Sequence, residues 1–232
     1  FQPKFAIDTQ QLIGAEVLSR IYDSEGNMML PSVYIPVLEK TGLISHLDDY
    51  VIRHLIDEMR EWEEKQLDYP VISVNMSRVD FIEPDFLKKI DEYVEEKKVP
   101  KSKLEFELTE TTFCENFQLI VEKIEWLRSQ GYRISMDDFG TGYNSLDVLG
   151  TVSVDVVKFD RAFVLHSLKH PKGIKLLRGL IQMFQNINFE IICEGVETKS
   201  EEELVYRCGC NAVQGFLYDK PIRRNDFVEK YL

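Results

Sequence analysis

The sequence has no apolar run approaching the roughly 20 residues of a membrane-spanning helix, and it shows no signal peptide. It also has no excess of basic residues. Its 28 lysines and arginines are outnumbered by 40 aspartates and glutamates, which gives a formal net charge of -12. Because nucleic-acid polymers and anionic membranes attract basic surfaces, we expect neither as a direct partner. The prediction is a cytoplasmic chain.

Cysteine and histidine are scarce, with four of each in 232 residues. His166 and His170 are spaced as two ligands on one helix face, but they lack the acidic neighbour of a zinc motif. The cysteines show no zinc spacing either, and we predict reduced thiols with at least two in the core. The cysteines are Cys114, Cys193, Cys208 and Cys210. A zinc site and a disulfide framework are therefore not indicated.

The pattern of strands and helices predicts the fold class. Phe1–Ile7 and Leu12–Ile21 are predicted strands joined by a short turn, which indicates an antiparallel hairpin. From Val71 onwards strands and helices alternate without a linker, as in a parallel sheet. About eight strands in this length fit a closed (β/α) barrel, so we predict one domain over residues 1–232. Because the chain opens directly in a strand, we expect it to be a piece of a longer protein. The predicted helices are Pro31–Lys40, 44–62, Asp85–Lys97, one capped by Asn116 and ending at Gln130, one near Ser145–Leu149, Gly173–Asn186, Ser200–Arg207 and Asn225–Tyr231.

Nearly every predicted strand ends in a polar residue, at the position where such a barrel carries its active residues. These residues are Glu16, Asn75, Glu107, Asp137 with Asp138, Lys158, Glu194 and Gln214. In the strand Leu104–Thr109 the apolar residues share one face, which must meet the helices, so Glu105 and Glu107 point into the barrel. By the same alternation Ser73 and Ser135 point inward. Unpaired buried carboxylates are strongly destabilising, so a convergent set with one lysine indicates a bound cation.

Asp137 and Asp138 are adjacent at a strand end and precede the flexible loop Gly140-Thr141-Gly142. Alone, such a pair is as typical of a solvated turn as of a divalent-cation site. Any single charged residue of the set also fits a structural ion pair. Carboxylate and amide oxygens favour Mg²⁺ or Mn²⁺ over Zn²⁺. Two ions about 3.5–4 Å apart, with Asp137 bridging them, would suit phosphoryl transfer to water. Lys158 would then orient the water or stabilise negative charge. Glu194 would take a proton or complete the second ion's shell.

Seven motifs in this order and spacing resemble those of the EAL-domain cyclic-di-GMP phosphodiesterases, and the resemblance covers essentially the whole chain. The motifs are Glu16-Val17-Leu18-Ser19-Arg20, Asn75-Met76-Ser77, Glu107-Leu108-Thr109-Glu110, Asp137-Asp138-Phe139-Gly140-Thr141-Gly142-Tyr143, Lys158-Phe159-Asp160, Glu194-Gly195-Val196-Glu197 and Gln214-Gly215-Phe216. The resemblance implies a modified TIM (β/α)₈ barrel with an antiparallel first strand. It also implies hydrolysis of cyclic-di-GMP to linear pGpG with Mg²⁺ or Mn²⁺, two ions per site.

The resemblance further implies a role for each matching residue. One ion would be held by Glu16, Asn75, Glu107 and Asp137, and the second by Asp137 and Asp138. The attacking water and its surroundings would be handled by Lys158, Glu194 and Gln214. The dinucleotide would be touched by Gln2 and Arg20, and the site would be supported by Glu110 and Glu197, with Glu110 steadying the loop after Asp138.

The resemblance also has implications for the partners and the location of the protein. Members dimerise through the loop after Asp138 and its helix, so we expect a homodimer. Sensory or diguanylate-cyclase-type domains often flank such a domain, which implies a bacterial second-messenger protein with further domains outside this chain. The full-length protein would be compatible with a membrane tether elsewhere.

The chain also departs from the family pattern. The signature Glu-Ala-Leu is Glu-Val-Leu here, and Val17 alternates away from Glu16, so no ligand should be lost. Ser19 and Tyr34 replace a common Leu and Phe, and we expect these two changes to alter the apolar contacts with the substrate. Ile21 replaces a common Trp. Asn144 stands where Ser is common. Two alternatives stay open: a cyclic-di-GMP receptor without turnover, in which Val17 also occurs, and another metal-dependent barrel enzyme that stabilises an enolate with Lys158.

Overall fold

The structure, a computed structural model, describes residues 1–114, 116–141 and 148–232, and of Cys114 only the backbone. Eight of its strands form a barrel and two form a small hairpin. The barrel strands are β1 (Gln2–Ala6), β2 (Leu12–Val17), β5 (Val71–Asn75), β6 (Leu104–Thr109), β7 (Arg133–Phe139), β8 (Val156–Phe159), β9 (Glu190–Glu194) and β10 (Ala212–Gln214), and the hairpin strands are β3 (Ile21–Tyr22) and β4 (Met28–Met29).

The barrel closes in the order β1-β10-β9-β8-β7-β6-β5-β2. Strand β1 runs antiparallel to both of its neighbours, whereas the other neighbouring pairs are parallel. This arrangement confirms the predicted barrel with an antiparallel first strand. Because β1 is reversed, Gln2 lies opposite Glu16 and Lys4 lies opposite Gln214. The start of β1 therefore meets the ends of its neighbours.

Helices pack around the outside of the barrel. They are α1 (Pro31–Thr41), α2 (Ile44–Glu64), α3 (Arg78–Ile82), α4 (Phe86–Lys97), α5 (Phe117–Gln130), α6 (Arg161–Leu168), α7 (Pro171–Asn186), α8 (Lys199–Arg207) and α9 (Arg224–Tyr231). None of the helices among the described residues is long and apolar enough to cross a membrane. The apolar core fills the layer between strands and helices, with Leu55, Met59 and Trp62 of α2 fully or almost fully buried in it.

The interior of the barrel is polar, as the alternation of residues predicted. Ser73, Glu105, Glu107 and Ser135 are all buried, and Phe106, between the two glutamates, belongs to the apolar layer outside the barrel. Since side chains of a strand alternate between its two faces, one face supplies the core and the other supplies polar groups to a common interior.

Several predicted boundaries are wrong. Strand β2 ends at Val17 instead of Ile21, because the carbonyl oxygen of Ser19 accepts hydrogen bonds from the side chains of Tyr34 and Arg20. Strand β7 runs on to Phe139, two residues beyond the predicted end. Helix α7 begins at Pro171 instead of Gly173, with the proline in the first turn, where its missing N–H is not needed.

Two short helices escaped prediction, although each carries a capping residue. The Ser77 hydroxyl accepts from the backbone N–H of Asp80 in α3, and the Asp160 carboxylate accepts from two N–H groups of α6. Asn116 stands at the predicted N-cap position of α5, but it has a φ of 56° and its side chain makes no capping hydrogen bond. The predicted helix near Ser145–Leu149 lies outside the described residues except at its end.

Candidate metal and substrate site

Four carboxylates from four strands converge on one fully buried ammonium group. Lys158 Nζ lies 2.6 Å from Glu107 Oε2, 2.8 Å from Glu194 Oε1 and 3.1 Å from Glu16 Oε2. It lies 3.3 Å from Asp137 Oδ1. These residues end β2, β6, β7, β8 and β9 or stand one or two residues before the end, so the strand register places them at one mouth of the barrel. The predicted convergence of Glu16, Glu107, Asp137, Lys158 and Glu194 is confirmed.

The two predicted amide side chains both contact Glu16. Asn75 donates from Nδ2 to Glu16 Oε1 at 2.7 Å, and Gln214 donates from Nε2 to Glu16 Oε2 at 2.6 Å. Gln214 is buried, and its Oε1 atom has no hydrogen-bond partner among the described residues. These bonds fix the direction in which the Glu16 carboxylate faces.

A second buried lysine, which sequence reasoning missed, lies one layer deeper in the barrel. Lys4 Nζ is 2.8 Å from Glu107 Oε1, and it donates to Ser73 Oγ at 2.7 Å. It also lies 3.4 Å from Glu105 Oε1. The sequence does contain a signal for Lys4. It stands two residues after Gln2 in the first strand of the predicted hairpin, so both side chains lie on the same face of that strand.

Burial and charge act in opposite directions on the groups of this site. Burial alone would lower the pKa of Lys158, but Asp137, Glu107 and Glu16 raise it well above its usual value. Burial would raise the pKa of Glu107, but Lys158 and Lys4 outweigh it and hold the pKa at about 2. The ammonium groups and Glu107 are therefore charged at neutral pH.

The carboxyl groups of Asp137, Asp138 and Glu194 have raised pKa values. Burial raises the pKa of Asp137 well above its usual value, against the opposing attraction of Lys158. Burial likewise raises the pKa of Glu194 to about 7, and burial followed by repulsion from Asp160 raises the pKa of Asp138. More acidic groups converge here than the lysine can neutralise, which is the condition that a divalent cation relieves.

The carboxylates form two groups of three that share Asp137. Glu16, Glu107 and Asp137 form one group, Asp137, Asp138 and Glu194 form the other, and within each group the candidate ligand atoms lie within 4.8 Å of one another. Asp137 belongs to both groups, and its role as a bridge between two ions stays a prediction. Asp138 reaches the second group with a φ of 57°, and its backbone N–H donates to Asp137 Oδ1. The donor set of carboxylate oxygens fits Mg²⁺ or Mn²⁺.

A cavity of about 570 Å³ opens beside these carboxylates. Its wall includes Arg20, Tyr34, Asn75, Asp137 and Asp138. This volume lies within the range of about 300–1,000 Å³ that is typical of small-molecule sites.

Comparison with known proteins identifies the family. The family model of the EAL domain matches residues 1–221. The chain belongs to the EAL domain family. It is 30% identical over 231 residues to the cyclic di-GMP phosphodiesterase PdeR of Escherichia coli K12, covering 100% of this chain and 35% of PdeR. It is 30% identical over 222 residues to the bifunctional diguanylate cyclase/cyclic di-GMP phosphodiesterase MucR of Pseudomonas aeruginosa, covering 96% of this chain and 32% of MucR.

Solved structures agree with this EAL fold. The structure described as PaMucR phosphodiesterase in complex with c-di-GMP superposes with a TM-score of 0.90 at 30% identity, covering 97% of this chain and 92% of that one. The chain spans about a third of the length of the curated relatives PdeR and MucR. EAL domains are typically dependent on divalent metal ions, which agrees with the two carboxylate groups of this site.

The remaining predicted residues of the EAL domain lie around this centre. Gln2 pairs with Glu16 across β1 and β2, and Arg20 donates from Nη1 to the Ser19 carbonyl oxygen at the cavity wall. Glu197 forms an ion pair of 2.9 Å with Arg161, which also donates to the carbonyl of Gly195, the residue after Glu194. The buried Glu110 begins a 3-10 turn after β6, but the loop it is predicted to steady lies partly outside the described residues.

Beside the cavity of this EAL domain lies a carboxyl pair that sequence reasoning also missed. Asp48 Oδ2 accepts from the Ser77 backbone N–H at 2.7 Å, and the Ser77 hydroxyl donates to Asp80 Oδ2 at 2.9 Å. Asp80 is fully buried, and its Oδ1 atom has no hydrogen-bond partner among the described residues. Burial, followed by the hydrogen bond to Asp80, raises the pKa of Asp48 to about 8. No pattern in the sequence predicts this pair, because Asp48 and Asp80 are brought together by the packing of α2 against α3.

Replacing Asp48 by asparagine should make the domain more stable at alkaline pH. Unfolded aspartate ionises near pH 4, whereas folded Asp48 keeps its proton up to about pH 8. The stability that this group contributes to wild type is thus complete below pH 4 and is lost progressively as the pH rises from 4 through 8. At pH 8 Asp48→Asn should raise the free energy of unfolding by on the order of 1–3 kcal/mol, with little effect at pH 4.

Urea denaturation at both pH values measures this difference. The matched control is Asp49→Asn, since Asp49 is the next residue in α2, and its half-exposed side chain pairs with Arg53. An Asp48→Asn variant that is no more stable than wild type at pH 8 would contradict the raised pKa of Asp48.

Proposed function

We propose that this EAL domain is a metal-dependent phosphodiesterase that hydrolyses cyclic-di-GMP to linear pGpG. The observation that carries the proposal is the pair of carboxylate groups sharing Asp137, which face a buried Lys158 beside the cavity. The named activities of PdeR and MucR, and the c-di-GMP in the complex of the latter, support the choice of substrate.

The metal ligands follow from the two groups. Glu16, Asn75, Glu107 and Asp137 would hold one Mg²⁺ or Mn²⁺ ion, and Asp137 and Asp138 would hold a second, with Glu194 able to complete its shell. When bound, such a pair of ions stabilises the attacking and leaving oxygens of a phosphodiester displacement. Gln214 and Asn75 set the orientation of Glu16 through their hydrogen bonds to its two oxygens.

The residues that handle water and protons are Lys158, Glu194 and Gln214. Lys158 is fixed by four carboxylates, so its ammonium group is held ready to attract negative charge that develops on the scissile phosphate. Glu194 is suited to accept a proton from the attacking water, because burial brings its pKa to about 7. Gln214 offers its Oε1 atom, which has no hydrogen-bond partner in the described part of the chain, as an acceptor for water.

Substrate binding falls to residues at the edge of the mouth. The Arg20 guanidinium lies at the cavity wall, where it can pair with a phosphate or stack on guanine, and Gln2 lies opposite Glu16. Dimerisation through the loop after Asp138, and flanking sensory or cyclase-type domains, are further parts of the proposal. The relatives' greater length is consistent with such domains.

Incubation of the purified domain with cyclic-di-GMP and Mn²⁺ or Mg²⁺, followed by chromatography of the nucleotides, tests this function. We expect linear pGpG with either ion and none after chelation of the metal. Tight nucleotide binding without pGpG, in a folded and dimeric sample, would favour a receptor instead, the role in which Val17 also occurs among family members.

A further inference from the structure

Glu107 is held from two sides by two different lysines, and only one of them belongs to the mouth of the barrel. Lys158 contacts Oε2 at 2.6 Å and also reaches Glu16, Asp137 and Glu194. The opposite oxygen of Glu107, Oε1, receives its hydrogen bond from Lys4 at 2.8 Å.

The position of Lys4 differs from that of Lys158 in depth. Its other contacts are Ser73 Oγ and Glu105 Oε1, which stand two residues before Asn75 and Glu107 on the same strands. In a barrel, a step of two residues leads to the next inward-facing layer. Lys4 therefore approaches Glu107 from the layer below, away from the cavity.

The neighbouring strand leaves room for this side chain. Lys4 lies opposite Gly14 in the β1–β2 pairing. A side-chain carbon at Gly14 would lie 3.3 Å from Cδ of Lys4 and 3.2 Å from the Val71 carbonyl oxygen, which is tighter than ordinary contact. Glycine on β2 thus admits the lysine stem into the barrel, and Lys4 is only 4% exposed.

We propose that Lys4 is a positioning residue for Glu107. By fixing Oε1 from below, it turns Oε2 towards Glu16 and Asp137, the two residues that form a candidate cation site with Glu107. A carboxylate held in this way needs no reorganisation before it binds a cation. The inference rests on the proposed function for its catalytic consequence, but its effect on cation binding can be measured without substrate.

The alternative role for Lys4 is simple charge balance. Glu105 also lies 3.2 Å from Arg133 Nε, so it keeps a cation when Lys4 is removed. Glu107 then keeps Lys158 as its one cationic partner within residues 1–114, 116–141 and 148–232. Arg133 touches Glu105 and Glu190, with no contact to Glu107 among its ion pairs at the described residues. The chain therefore offers a matched pair of changes, one that releases Glu107 and one that does not.

The test measures Mn²⁺ affinity of the nucleotide-free protein by calorimetry, and then kcat and KM for cyclic-di-GMP. Lys4→Met should weaken Mn²⁺ binding by about 10–100-fold, the usual effect of losing a partner of a metal ligand. It should lower kcat with little change in KM. The control Arg133→Met should keep near-wild-type Mn²⁺ affinity and kcat.

A double variant separates positioning from charge balance and serves if Lys4→Met alone does not fold. In Lys4→Met/Glu105→Gln the lost positive charge is matched by a lost negative charge, so folding should be retained. We expect its Mn²⁺ affinity to remain low. Wild-type or tighter Mn²⁺ binding in this double variant would overturn the positioning role. If the wild-type domain bound Mn²⁺ but never hydrolysed cyclic-di-GMP, the proposed function would fall while the Mn²⁺ comparison would still decide the role of Lys4.

Discussion

Replacing Lys158 by methionine should lower kcat for cyclic-di-GMP hydrolysis by about 10²–10³-fold, the effect of removing one fixed electrostatic donor. Methionine keeps a stem of similar length but removes the ammonium group that lies 2.6–3.3 Å from four carboxylates. Because this group is fully buried, its removal leaves the buried carboxylates without this cationic partner, and water cannot compensate for that loss at low energetic cost. Nucleotide affinity should fall much less than kcat, since Arg20 lines the cavity and Lys158 does not.

Steady-state kinetics and nucleotide binding, measured separately with saturating Mn²⁺, distinguish these effects. The matched control is Lys103→Met, because Lys103 also donates to a protein oxygen but precedes β6, at the other end of the barrel. We expect the control to keep wild-type kcat. A loss of affinity as large as the loss of rate would assign Lys158 to substrate binding instead of turnover.

Replacing Asp137 by asparagine should lower kcat for cyclic-di-GMP hydrolysis by roughly a thousandfold, which corresponds to a loss of about 4 kcal/mol of transition-state stabilisation. Asp137 is the residue that the two carboxylate groups share, so one neutral substitution weakens both candidate cation sites. The fold should survive, because asparagine has the shape of a protonated aspartate, and burial already raises the pKa of Asp137 well above its usual value.

Counting bound Mn²⁺ by calorimetry or by paramagnetic resonance gives the second readout. Wild type should bind two ions per chain, and Asp137→Asn should bind neither tightly. The controls are Glu16→Gln and Glu194→Gln, since each of these residues belongs to one group only. Each control should keep one of the two ions. Two tightly bound ions in Asp137→Asn would refute the assignment of Asp137 as the bridge.

Much of the fold follows from local patterns in the chain. The alternation in Leu104–Thr109 placed Glu105 and Glu107 inside the barrel, because the period of two in a strand is a local property. The reversed first strand followed from the short turn between two strands. The expected glycine freedom in the loop after Asp138 also holds at Gly140, which has a φ of 100°. Boundaries failed where side chains competed for backbone groups, as Tyr34 and Arg20 do at Ser19.

The site was predictable where chemistry lies at strand ends and unpredictable where it depends on packing. Glu16, Glu107 and Lys158 are distant in sequence but occupy equivalent positions in a repeating pattern, so their convergence could be predicted. Lys4 belongs to β1, which departs from this pattern because it runs antiparallel to both of its neighbours in the barrel. Asp48 contacts Asp80 through the packing of α2 against α3, and no spacing in the sequence predicts that contact.

The most direct test of the central claim is a single turnover of cyclic-di-GMP by excess wild-type domain with Mn²⁺ in ¹⁸O-labelled water. Mass spectrometry of the nucleotides then shows whether a phosphodiester bond has been opened by water. The account predicts linear pGpG carrying one ¹⁸O atom on its terminal phosphate, and no product from Asp137→Asn under the same conditions. Recovery of intact, unlabelled cyclic-di-GMP bound to folded wild-type protein would contradict it.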